Sequence, residues 1–182
     1  MMKMTPSDSA QTSRAVPSEF YDNLFRAPPR QYASSHTFSG YSRQETKVPD
    51  YPEAQKWRKQ AEHDVGEARR RTGGSACWMM YMCHQAAEKM LKAALYLVDL
   101  DQATRFQRGE AGHSLISISE HLTSNEAKFV AKEMDSRVGH HTHLRYPSAQ
   151  GCPCDRYTDD DATYMLSKAE KLMELLRPSF VR

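Results

Sequence analysis

The chain has 182 residues, of which 39% are hydrophobic and 26% charged, and its mean hydropathy is −0.76, which accommodates one modest domain plus a polar excess and excludes two large ones. Lys plus Arg exceeds Asp plus Glu by two with the signs interspersed, so bulk charge gives no reason to bind nucleic acid or membrane, and any basic site must be local. The longest hydrophobic run, Ala76 to Cys83, falls far short of the roughly 20 residues of a spanning helix, and no apolar segment opens the chain. A soluble, cytoplasmic protein without a membrane partner or secretory signal is the expectation.

Residues 1–50 hold five of the nine prolines and eight serines, with no sustained period of 3.6 or 2, and read as a disordered leader or linker. Phe20, Tyr21, Leu24 and Phe25 could form a turn or two of helix on a partner, but so short a helix is marginal in water. The texture changes at Tyr51. Pro52 suits a first helical turn, and Ala54, Trp57, Ala61, Val65 and Ala68 follow at steps of three and four, predicting a helix to about Arg71. Gly73 and Gly74 break it. A second helix is expected from Ser75 to about Val98 on Trp78, Met82, Ala86, Met90, Ala93 and Leu97, on the order of 35 Å long.

A polar link through Gly109 and Gly112 leads to a shorter helix, His113 to His121, with Leu115, Ile118 and Leu122 on one side. Ser124 and Asn125 can cap a fourth helix carrying Ala127, Val130, Ala131 and Met134, which decays at Gly139. Pro147, Gly151 and Pro153 read as barriers to regular structure. The last helix starts at Thr158, whose hydroxyl precedes Asp159, Asp160 and Asp161 at the positive end of the helix dipole. No segment alternates like a strand. An all-α antiparallel bundle of about five helices, occupying residues 51–178 after the disordered segment, is the predicted architecture.

Cys77 and Cys83 sit within the apolar helical pattern, where small buried thiols are common. Cys152-Pro-Cys154 lies near His140, His141 and His143, but a single intervening proline is a poor spacing for tetrahedral zinc, so the pair reads as a rigid loop with no metal. Lys89 lies on the core stripe of the second helix, three residues after Ala86 and four before Ala93. It either snorkels to the bundle edge or faces a polar cavity, and Gln85 lies one turn earlier on the same side.

Four runs, in order, resemble the HEPN domain family: Ala54, Trp57, Arg58, Ala61 and Asp64-Val65; Trp78 through Leu95 with the Gln85 to Ala93 run; Gly112-His113-Ser114-Leu115; and Leu144-Arg145-Tyr146-Pro147 with Thr158 and Asp160-Asp161-Ala162. Within the family the chain looks most like the HEPN domain that closes the large chaperone-associated sacsin proteins, on the strength of Asp155-Arg156-Tyr157-Thr158. No His-Pro-Asp signature of a J domain occurs. The resemblance implies a homodimer that binds a nucleotide or similar anion, with chaperone-system proteins as partners, and needs no cofactor. Lys89, Lys92, Arg145 and Gln85 are the ligand-binding residues at the family-like positions. The alternative is a metal-independent ribonuclease, since catalytic relatives carry an Arg followed four to six residues later by His. Arg137 and His143 have that spacing, although Val138-Gly139 follows the arginine and the expected helix does not continue to the histidine.

Overall fold

The computed structural model describes residues 48–71 and 73–181. Helix α1 spans Tyr51–Arg70, and the carboxylate of Asp50 caps it by accepting from the Glu53 N–H at 3.0 Å. Helix α2 spans Ala76–Val98, and 14 of its 23 residues are buried. Burial on that scale is not a stripe. From Cys83 to Tyr96 the helix is enclosed nearly all round, so it forms the axis of the bundle, packed against α1 on one side and the last helix on the other.

The remaining elements wrap that axis. Helix α3 (Leu100–Arg105) is a short extension, followed by a 3-10 turn at Glu110–His113, α4 (Leu115–Ser119) and α5 (Asn125–Val138). Ser114 and Ser124 cap α4 and α5 through their hydroxyls. A second 3-10 turn covers His141–Leu144, α6 covers Pro153–Arg156, and α7 covers Asp159–Leu176 before a final turn at Arg177–Phe180. Thr158 and Asp161 form a reciprocal capping box at the start of α7: the Asp161 N–H donates to the Thr158 hydroxyl at 3.3 Å and the Thr158 N–H to the Asp161 carboxylate at 2.9 Å. The core is drawn from all the long helices, with Met80, Met90, Leu91, Leu95, Met134, Met165 and Leu172 almost fully enclosed. No helix among the described residues is long and apolar enough to cross a membrane.

The five expected helices are present as an all-α antiparallel bundle, with α3 and α6 added. The third is shorter than expected at both ends, because His113 closes the 3-10 turn, Ser114 is the cap, and the helix stops at Ser119. The region after Gly139 holds more regular structure than the prolines suggested. Pro153 begins α6, where its missing N–H is no handicap, and Ser148 and Gly151 exchange backbone hydrogen bonds in a tight turn. The leader and the Phe20 to Phe25 segment lie outside the described residues.

Candidate functional site

Polar residues enter the axis helix at His84, Glu88 and Lys92, spaced four apart and all at least 95% buried. Lys92 Nζ donates to Glu88 Oε1 at 2.7 Å and lies 5.5 Å from the centre of the Trp57 ring. The second Glu88 oxygen meets His113 Nδ1 at 3.1 Å and accepts from the Gln85 amide at 3.2 Å. Burial alone would raise the Glu88 pKa, but Lys92 and His113 outweigh it and hold the carboxyl below its ordinary value.

His84, on the neighbouring side of α2, places Nε2 3.2 Å from Asp135 Oδ1, and its buried Nδ1 has no hydrogen-bond partner among the described residues. Asp135 is itself fixed, since its other oxygen accepts from the Ile116 N–H at 3.0 Å and from the Ser114 hydroxyl at 3.3 Å. Two backbone features bring the other imidazoles here. Gly112 lets the chain pass so close to the Phe106 carbonyl that a Cβ would collide with it, which positions His113. Gly139, at φ +77°, ends α5 and turns the chain back, so that His140 and His141 follow.

The His141 ring centre is 4.4 Å from those of both His113 and His140 and 6.4 Å from that of His84. Its pKa is pushed down from 6.5 to about 4, by burial first and then by the charge that His113, His140 and His84 would carry. The imidazole at this position therefore resists protonation. A cavity of about 390 Å³ opens among His113, Ser114, Ser117, Asp135, His140 and His141.

One step along α2 lies a different environment. The Arg145 guanidinium is exposed, donates from Nη1 to the Tyr81 hydroxyl at 3.2 Å, and lies over the rings of Tyr81 and Tyr146 at 5.0 and 5.4 Å. Trp78 stacks on Tyr81 with centres 5.3 Å apart and planes at 15°. Among the described residues no carboxylate pairs with Arg145. A cavity of about 510 Å³ adjoins it, lined also by Trp78, Tyr146, Cys152 and Cys154.

The other residues singled out from sequence are dispersed. Gln85 and Lys92 meet at Glu88. Lys89 turns instead to α1, where Nζ donates to Asp64 at 2.7 Å at the edge of a groove of about 300 Å³ with Lys56, Trp57 and Gln60. This is the snorkelling geometry, with 23% of the side chain exposed. Arg137 pairs with Asp161 of α7 and lies 5.5 Å from the Tyr164 ring, while His143 Nδ1 accepts from the His140 N–H at 3.3 Å. Arg137 and His143 thus engage different partners. Glu88, His84 and Asp135 were not singled out from sequence; for His84 and Glu88 the signal was their four-residue spacing with Lys92 inside an apolar helix, and for Asp135, on α5, there was none.

This helical order, with its long axis helix and its histidine turn before the last helix, can be set beside known proteins. The family model described as "HEPN domain" matches residues 54–178. The chain belongs to the HEPN domain family. Among solved structures, TT1696 from Thermus thermophilus is 25% identical with a TM-score of 0.55, over 69% of this chain and 97% of that one. ST0689, described as an archaeal HEPN homologue, is 28% identical with a TM-score of 0.48, over 70% of this chain and 98% of that one. No curated protein matches. The HEPN match runs from α1 into the final turn and contains both cavities.

Proposed function

We propose that this HEPN domain is a dimerising binding module for a nucleotide or similar anion, and that Arg145 is the residue on which the anion docks. The observation that carries this reading is the Arg145 guanidinium, exposed over Tyr81 and Tyr146 without a carboxylate partner among the described residues and bordering an open cavity. Its forked donors suit a phosphate, and the exposed faces of Trp78 and Tyr146 suit a planar base. Lys89 and Lys92 already face carboxylates, Gln85 is bonded to Glu88, and none of the three lines this cavity, so in this reading the ligand is held by Arg145 and the aromatic rings and not by them.

Pairing of two copies follows the habit of the family, and the exposed aromatic rings of Trp78, Tyr146 and Phe129 are apolar surface available for it. The Asp155 to Thr158 run supports a sacsin-like place in a chaperone system. The ribonuclease alternative draws less support, because Arg137 is engaged by Asp161 and Tyr164. Calorimetric titration of the full chain with a nucleoside triphosphate tests the binding reading. Saturable binding that Arg145→Ala removes and Arg145→Lys partly keeps supports it; equal binding by parent and Arg145→Ala refutes it.

A further inference from the structure

The turn that precedes the last helix carries a second kind of chemistry. The mutual backbone bonds of Ser148 and Gly151 pin the chain immediately before Cys152, and Pro153 then fixes the first position of α6. Both thiols emerge on the same side of this rigid corner, with Cys152 Sγ and Cys154 Sγ 2.8 Å apart. Asp155 brings Oδ1 to 3.6 Å from Cys154 Sγ. Among the described residues these three are the one group of His, Cys, Asp or Glu donors whose ligand atoms all lie within 4.8 Å of one another.

We propose that Cys152, Cys154 and Asp155 form a three-donor site for a zinc-class divalent cation. A tetrahedral ion with bonds of about 2.3 Å to sulfur and about 2.0 Å to oxygen sets its sulfur and oxygen ligands about 3.5 Å apart and two sulfurs about 3.75 Å apart. The edge from the Cys154 sulfur to the Asp155 oxygen is therefore already at the required length, and the Cys152 sulfur lies within 4.8 Å of that carboxylate. The sulfur pair must open by about 1 Å. Cys154 is exposed and Cys152 half-buried, and a change of rotamer at Cys154 is the movement that would open the pair.

Two soft thiolates and one hard carboxylate suit a borderline ion of the zinc type better than magnesium or calcium, which take oxygen ligands. The cavity of about 510 Å³ that both thiols line leaves the fourth position open to water or to an exogenous ligand. The nearby imidazoles do not complete the set, since His113, His140 and His141 line the other cavity. The single proline between the cysteines, which reads as a poor zinc spacing in sequence, is thus the device that turns both sulfurs to one side. These donors would bind a cation whether or not Arg145 docks an anion.

The test is titration of the full chain with Co²⁺ under a non-thiol reductant, followed by near-ultraviolet thiolate-to-cobalt charge-transfer absorption and visible d–d bands. The expected result is a charge-transfer band that saturates at about one equivalent, is displaced by Zn²⁺, and is lost in Cys152→Ser and in Cys154→Ser. Asp155→Asn should weaken cobalt binding by at least the roughly tenfold loss typical of removing even an outer partner of a metal ligand. Cys77→Ser, which alters a thiol that lines the same cavity but lies outside the three-donor group, should leave the band intact. No charge-transfer band in the reduced parent, or a band that survives in Cys152→Ser, overturns the site. Far-ultraviolet circular dichroism of each variant confirms that the bundle is folded when the band is read.

Discussion

Lys92 and Glu88 meet at 2.7 Å inside the bundle with only 4% and 6% of their side chains exposed, one turn apart on the helix against which α1 and α7 both pack. Removing one partner strands a buried charge, whereas removing both leaves only polarity to lose. Glu88→Gln alone is therefore expected to cost about 3 to 5 kcal/mol of stability, and Glu88→Gln combined with Lys92→Met considerably less. Denaturant unfolding of the four proteins of this cycle checks it. Equal and additive losses would show that the pair acts as two independent polar groups.

His141 makes the domain acid-sensitive. Its pKa is near 4 in the folded protein and near 6.5 when unfolded, so the unfolded chain binds the proton first as pH falls. Stability should drop between about pH 6.5 and about pH 4, and His141→Gln should flatten that slope. A residual loss at lower pH should persist in the variant, because the depressed Glu88 carboxyl contributes stability above its unfolded pKa that is lost as pH falls through its folded pKa. Unfolding midpoints measured from pH 7.5 down to about 2.5 separate the two, the His141 loss lying above about pH 4 and the Glu88 loss below the ordinary carboxylate range. A His141→Gln profile identical to the parent's would remove His141 as the cause.

The long helices were legible because each repeats apolar residues every three or four positions and begins at a residue that can cap it: Asp50, Ser124 and Thr158 all do so. Helices α3 and α6 were not. With six and four residues they are too short to show a period, and Pro153 looks like a breaker until its position at a helix start is known. Arg145 was legible as a cation at a family-like position, but its lack of a carboxylate partner among the described residues is a tertiary fact. So is the reverse fate of Lys89, held by a residue of another helix. The histidine cavity draws on the turn before α4, on Ser117 of α4, on Asp135 of α5 and on the segment after Gly139, and no local pattern joins positions so far apart in the chain.

Purified protein is expected not to cleave single-stranded RNA in the presence of a chelator. General acid or base catalysis by His143 needs the arginine beside it to face the same phosphate, and Arg137 instead spans to Asp161, the residue that closes the capping box of α7. Gel analysis of RNA incubated with the parent and with His143→Ala checks this. Cleavage by the parent that vanishes in the variant would make Arg137 and His143 a working pair.

Dimer formation is expected in the full chain at tens of micromolar, an order-of-magnitude choice that lies well above typical specific dissociation constants. Sedimentation equilibrium reads the mass directly. A Trp78→Ser, Tyr146→Ser double variant that sediments as the parent would place the interface on another face, and a monomeric parent would contradict pairing altogether.

The reading that an anion docks on Arg145 is tested most directly by the fluorescence of Trp78, which stacks on Tyr81, the ring that carries the Arg145 guanidinium. The chain has two tryptophans, so Trp57→Phe leaves Trp78 as the single reporter. Titration of that protein with a nucleoside triphosphate should give a saturable change in Trp78 emission. Adding Arg145→Ala should weaken the response by about 1.5 to 3 kcal/mol, a loss of roughly tenfold to more than a hundredfold in affinity, as expected for hydrogen bonds to a charged group. An unchanged spectrum, or the same titration curve with and without Arg145, would contradict an anion site at this residue.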